Sequence, residues 1–168
     1  VVSSIPQAEY FHGKSTWWQA AFNKGRGAEY VSEIHFDPSY GTHVLIVAVP
    51  IWDDDQRAVI GVVSVLLKRD SLFQSISEVT IGATGHAMLM SSDGTPLICP
   101  VLAPEEHAIT PALVEQLRPM QAGWSIAEDD SHGGRNSLIG FAPVRLSDRL
   151  APGSLGGKRW ITFVRQNP

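Results

Sequence analysis

The chain has 168 residues, 43% of them hydrophobic and 18% charged, enough apolar material for a packed core and unlike the composition of a disordered segment. Its formal charge of −4 and its scattered Lys and Arg residues supply no basic stripe, so nucleic acid is excluded as an expected partner. The longest apolar runs, Val44 to Val49 and Val59 to Leu67, fall short of the roughly 20 residues of a membrane-crossing helix, and both are rich in β-branched residues.

Val1-Val2-Ser3-Ser4-Ile5 reads as a strand already in progress, which suggests a piece of a longer protein. Ser15-Thr16 then precede Trp17, Trp18, Ala20, Ala21 and Phe22, an apolar cluster at helical spacing that Gly25 and Gly27 end. Glu29 to Phe36 alternates as a strand, and Asp37-Pro38-Ser39-Tyr40-Gly41 makes a turn. Thr42 to Trp52 and Ala58 to Leu67 follow as two more strands around the polar turn Asp53-Asp54-Asp55-Gln56, completing an antiparallel meander. Asp70 is the expected N-cap of a helix from Ser71 to Val79, the hinge between two halves.

The pattern begins again at Gly82-Ala83-Thr84-Gly85. A strand from His86 to Ser91 and another from Thr95 to Cys99 flank Asp93-Gly94, a strong hairpin signal. A helix from Ala112 to Met120 starts with Thr110 as cap and Pro111 at its first position. Strands at Gly123 to Glu128, Ser137 to Val144 and Lys158 to Gln166 end the chain. The two halves repeat an architecture, without residue-level identity.

Hairpin, helix and meander is the order of a PAS-like sheet. The segments Val1-Val2-Ser3-Ser4, Tyr10 with Trp17-Trp18, Val49-Pro50-Ile51-Trp52-Asp53, Val59-Ile60-Gly61-Val62-Val63 and Gly82-Ala83-Thr84-Gly85 followed by Asp93-Gly94 resemble the double Cache (dCache) sensor domains of bacterial receptors over nearly the whole chain. The resemblance implies an α+β fold of two tandem PAS-like (Cache) lobes, each an antiparallel sheet with flanking helices. Residues 1–80 would form a membrane-distal, ligand-binding lobe lacking its first strand and the family's long N-terminal helix, and residues 81–168 a membrane-proximal lobe. It also implies a periplasmic or extracellular location, anchoring through segments outside this chain, and a small-molecule ligand relayed to a histidine kinase, chemotaxis or nucleotide cyclase output. A homodimer is compatible with it.

In the amino-acid-binding branch of that family, a Tyr and a Trp-aromatic pair accompany an Arg that holds the ligand carboxylate, and an acid on the last meander strand holds the ammonium. Tyr10, Trp17 and Trp18 match the aromatic positions, but the Arg position falls on Ser15, and Gly61-Val62-Val63-Ser64-Val65 carries no acid. An α-amino acid is therefore not the expected ligand. His35, Asp37 and Ser64 are added as polar pocket candidates because the family places polar contacts near those positions. Trp17 and Trp18 point about 100° apart on a helix, so one is expected to pack and the other to line the pocket.

Other chemistry finds less support. His35 and His43 flank a turn with Asp37 between them, but no pair of histidines has a tight metal-ligand spacing, and Asp53-Asp54-Asp55 lacks the alternating oxygens and distal Glu of a calcium loop. No metal and no cofactor are expected. Ser3-Ser4, Ser91-Ser92 and the Gly-rich pieces match neither a nucleophile elbow nor a phosphate loop, so no enzyme is expected. Cys99, the lone cysteine, reads as an inert thiol at a strand end. Two readings stand beside the ligand sensor: a ligand-free structural or protein-binding dCache module, and an intracellular PAS-like dimerisation domain.

Overall fold

The computed structural model describes residues 11–103, 106–107, 110–129 and 135–166. The opening strand expected from Val1 and the candidate Tyr10 lie outside the described residues. Contacts divide the chain into two compact units, the first running up to Lys68 and regaining Leu146–Gly157, the second comprising Arg69–Arg145 and the chain from Lys158 onward. The sequence reading divided the chain once, between residues 80 and 81, because nothing local marks a chain that leaves a unit and returns to it.

In the first unit, helix α1 (Thr16–Phe22) stops at Asn23, whose backbone is left-handed (φ 47, ψ 50) and whose N–H donates to the Gln19 carbonyl. The stop comes before the expected Gly25, since Asn tolerates this conformation almost as Gly does. The sheet centres on β3 (Thr42–Trp52), paired antiparallel along its whole length with β4 (Val59–Lys68). The opposite edge of β3 receives two short strands in succession, β1 (Tyr30–Val31) and β2 (His35–Asp37). The single strand expected from Glu29 to Phe36 is thus broken. At the break the register against β3 shifts by one residue; Ser32 keeps its N–H on the Ile46 carbonyl at 2.9 Å, while its Oγ accepts the Ile46 N–H at 2.9 Å and donates to the Glu33 carbonyl at 2.8 Å.

The second unit opens with α2 (Arg69–Ser77), which begins two residues before the expected start. Asp70 is therefore not its N-cap but lies in its first turn, where its Oδ1 accepts from Arg69 Nε at 2.8 Å. The sheet contains β5 (Thr80–Ile81), β6 (Gly85–Ser91), β7 (Pro96–Ile98), β8 (Gly123–Asp129), β9 (Arg135–Pro143) and β10 (Trp160–Gln166). Its order is β5-β6-β10-β9-β8, with β7 also paired to β6, and all these pairings are antiparallel. All seven residues of β6 are buried. One face of the sheet packs Met88, Met90, Ile139, Ile161 and Phe163 under Leu113 and Leu117 of α3 (Pro111–Leu117). On the other, Phe73 of α2 meets Trp160 edge-on at 5.6 Å between ring centroids. As expected, Thr110 caps α3, its hydroxyl accepting the Leu113 N–H at 3.3 Å, and Pro111 opens the helix.

The molecule is thus α+β, with two antiparallel sheets and a few helices. Among the described residues no helix is long and apolar enough to cross a membrane.

Candidate functional site

Residues directly opposite in an antiparallel ladder project from the same side of the sheet. Tyr30 faces Ala48, and Ala48 faces Ser64; His35 faces Val44, and Asp37 faces Thr42. Alternation along β3 puts Thr42, Val44 and Ala48 on one side. The three polar candidates His35, Asp37 and Ser64 therefore share a sheet face with Tyr30.

The same face carries α1. Trp17, Ala20 and Ala21 pack with Tyr30, Ala48, Val62, Ala28 and Ala151. Ala21 and Ala48 are wholly buried, and their small side chains let helix and sheet approach closely. Trp17 is thereby brought to the Tyr30–Ala48 end, and Ser64, exposed, stands in the next place across the ladder. Trp18, half-buried, turns away to stack on Phe22 at 4.6 Å and 20°.

His35 and Asp37 belong to the other end. They register four and six residues along β3 from Ala48, about 13 and 20 Å at the usual rise per residue. Their polar atoms are also committed locally. Nδ1 of His35 lies 3.1 Å from the Glu33 carbonyl, and Asp37 closes its own turn, its Oδ1 accepting the Ser39 N–H at 2.8 Å and its carbonyl the Gly41 N–H at 2.9 Å. The face gathers the candidates on one side without bringing them to one point.

Two further residues join the Trp17 end. His12 stacks obliquely on Trp17 at 5.1 Å, and Ser15 Oγ lies 3.5 Å from His12 Nδ1. Tyr30 is buried, and its phenol is pushed above the ordinary tyrosine range by that burial and then by the Glu33 carboxylate, so it offers a neutral hydroxyl. Tyr30 lies within the strand expected from Glu29 to Phe36 but was not singled out as a site residue; a tyrosine early in a strand just after Gly27-Ala28 was the available signal. The arrangement provides aromatic walls and hydroxyl groups, the equipment of noncovalent recognition.

In the second unit, Cys99 Sγ lies 3.6 Å from Nε2 of the buried His86, and His86 registers against the buried Arg165. Cys99 itself is half-buried and also accepts the Val101 N–H at 3.4 Å. Among the described residues no group of three or more His, Cys, Asp or Glu is placed to hold a metal ion.

A family model described as Cache domain matches residues 1–168. The chain is similar to the methyl-accepting chemotaxis protein PctB of Pseudomonas aeruginosa, 27% identical over 143 residues, which is 85% of this chain and 22% of that protein. Among solved structures it resembles the ligand-binding domain of the P. aeruginosa amino acid chemoreceptor PctB in complex with L-Arg, with a TM-score of 0.60 and 23% identity, covering 98% of this chain and 64% of that one. The ligand-binding domain of the amino acid chemoreceptor PctC of the same species, in complex with GABA, gives a TM-score of 0.59 and 18% identity, over 99% of this chain and 66% of that one. The chain thus spans about a fifth of the curated relative and about two thirds of these solved domains.

Proposed function

The chain belongs to the double Cache family of sensor domains, and from that premise we propose that it is the extracytoplasmic sensing module of a bacterial transmembrane receptor, binding a small organic solute other than a typical α-amino acid. Ligand binding and signal transduction, without catalysis, are the business of the chemoreceptor domains it resembles. The first unit is the binding lobe, and the second couples it to segments outside this chain.

The observation that carries the ligand class is the end of the sheet face under α1. Trp17 and Tyr30 supply aromatic surface there, while Ser15 stands where the resemblance expects an arginine and Gly61 to Val65 carries no acid. With no arginine and no acid at those two positions, hydroxyl groups and backbone amides supply polar contacts in their place.

Thermal-shift screening against small acids, amines and sugars tests this, since a ligand at 100 times its dissociation constant adds about 2.7 kcal/mol of stability. A hit outside the common α-amino acids, weakened by Trp17→Ala, is expected; tight α-amino acid binding would overturn the ligand class. One observation favours the ligand-free reading: α1 reaches the sheet through Ala20, Ala21, Ala28 and Ala48 with two of these wholly buried, so the module fills part of its own face. Silence across the whole panel would support that reading instead.

A further inference from the structure

The chain passes between the two units at three points: Lys68 to Arg69, Arg145 to Leu146 and Gly157 to Lys158. The last two bound a segment of the first unit whose ends are separated from β9 and from β10 by two residues each. We propose that Leu146–Gly157 is a mechanical strap through which the state of the Trp17 end of the sheet face reaches β9 and β10 of the second unit. The proposal rests on the sensing role given above.

The strap is seated on the strand that carries Tyr30. Glu29 N–H donates to the Arg149 carbonyl at 2.9 Å, Ala151 N–H donates to the Glu29 carbonyl at 2.6 Å, and a parallel bridge joins Glu29 to Leu150. Val31 N–H reaches Ser154 Oγ at 3.4 Å. Ala151 belongs to the same apolar cluster as Trp17, Tyr30 and Ala48, and Ser154 and Leu155 are buried as well. A ligand that moves Trp17 or Tyr30 therefore moves groups in direct contact with the strap.

Its two feet are fixed in the second unit. Val144 N–H donates to the Trp160 carbonyl at 2.9 Å, tying the exit of β9 to the start of β10. Ser92 N–H donates to the Arg159 carbonyl at 2.7 Å, Arg159 N–H returns a bond to Ser92 Oγ at 3.1 Å, and Lys158 Nζ pairs with Asp93 at 3.0 Å. A short segment anchored by hydrogen bonds at its middle and both ends transmits displacement instead of absorbing it, unlike a solvated linker.

Coupling can be read without a ligand, by hydrogen exchange on the 168-residue chain. Trp17→Ala supplies the disturbance at the sheet face. With the native strap it should speed exchange at Val144, Ile161 and their neighbours severalfold, as well as at Val31 and Ala151. The strap is then unseated in two ways. Gly156→Val puts a side chain against the Glu33 carboxyl group at a backbone φ of +65, and the milder Ser154→Ala removes the Val31 contact should the first variant fail to fold. In the Gly156→Val background Trp17→Ala should no longer change exchange in β9 and β10, and in Ser154→Ala, which leaves the bonds to Glu29 in place, the change should be reduced. A response of β9 and β10 that survives Gly156→Val or is undiminished by Ser154→Ala, or no response with the native strap, overturns the proposal. Because no ligand is used, an empty ligand screen and a failed strap are separate results.

Discussion

Lys158 Nζ lies 3.0 Å from Oδ2 of Asp93, so the residue that begins the second unit's return segment is pinned to the tip of the β6–β7 hairpin. Burial raises the Asp93 carboxyl, and hydrogen bonds from Lys158 and Thr95 outweigh it, holding the pKa at about 2. A folded pKa below the unfolded value means stability that is present above about pH 4 and lost as pH falls towards 2. Both side chains are some two-fifths exposed, so solvent screening limits the contribution to about 1 kcal/mol or less. Denaturation of Asp93→Asn and the parent should differ by that amount at neutral pH and converge near pH 2.

Gly27 and Gly25 both have positive φ, +69 and +84, but in different surroundings. A Cβ on Gly27 would press into the Trp52 ring, with Cη2 2.9 Å away, whereas one on Gly25 would meet nothing within 4 Å. Gly25→Ala should cost about 1 kcal/mol for the left-handed backbone alone. Gly27→Ala should cost visibly more, about 2 to 3 kcal/mol, as Trp52 is displaced. Urea melts of the two variants check the order.

Ala48 and Ser64 are neighbours on the ladder with opposite roles. Ala48→Leu overfills the contact between α1 and the sheet, and should cost about 1 to 3 kcal/mol. Ser64→Ala changes an exposed site and should leave stability within about 0.5 kcal/mol while weakening the solute identified by the screen. Melting curves and calorimetry on the same two variants separate packing from recognition.

Thr110→Ala removes the hydroxyl that accepts the Leu113 N–H. The loss of this cap should lower stability by about 1 kcal/mol. Since Leu113 and Leu117 cover the core of the second sheet, faster amide exchange should appear first in α3.

What could be read from the sequence follows the range over which each signal acts. The Asp93-Gly94 hairpin, the Thr110-Pro111 helix start and strands β3, β4 and β6 were legible because turn chemistry, capping and β-branched runs act within a few residues. The break between β1 and β2 was not, because the alternation continues through it while the register against β3 shifts by one residue. The strap was equally silent: Gly153 to Gly157 reads as a linker, while Ala151 and Leu155 acquire meaning only from partners more than a hundred residues earlier. For the site, the helix that carries Trp17 and Trp18 could be anticipated, but the sheet face that His35 shares with Tyr30 could not. The separation of His35 and Asp37 from Trp17 depended on register, which the sequence pattern leaves open.

The returning segment also imposes an order on biosynthesis. A nascent chain ordinarily completes its earlier domain first, as synthesis proceeds at about 5 to 20 residues per second. Here Ala151 and Leu155 are buried parts of the first unit, so the unit encoded first cannot close before Leu155 has left the ribosome. Until then the apolar side chains of α1 and β3 wait without their last cover. The span from Glu29 to Leu150 makes that closure a long-range event, and such contacts slow folding. The unit nearer the amino end is thus finished late, and its assembly is bound to that of the unit through which its chain must pass.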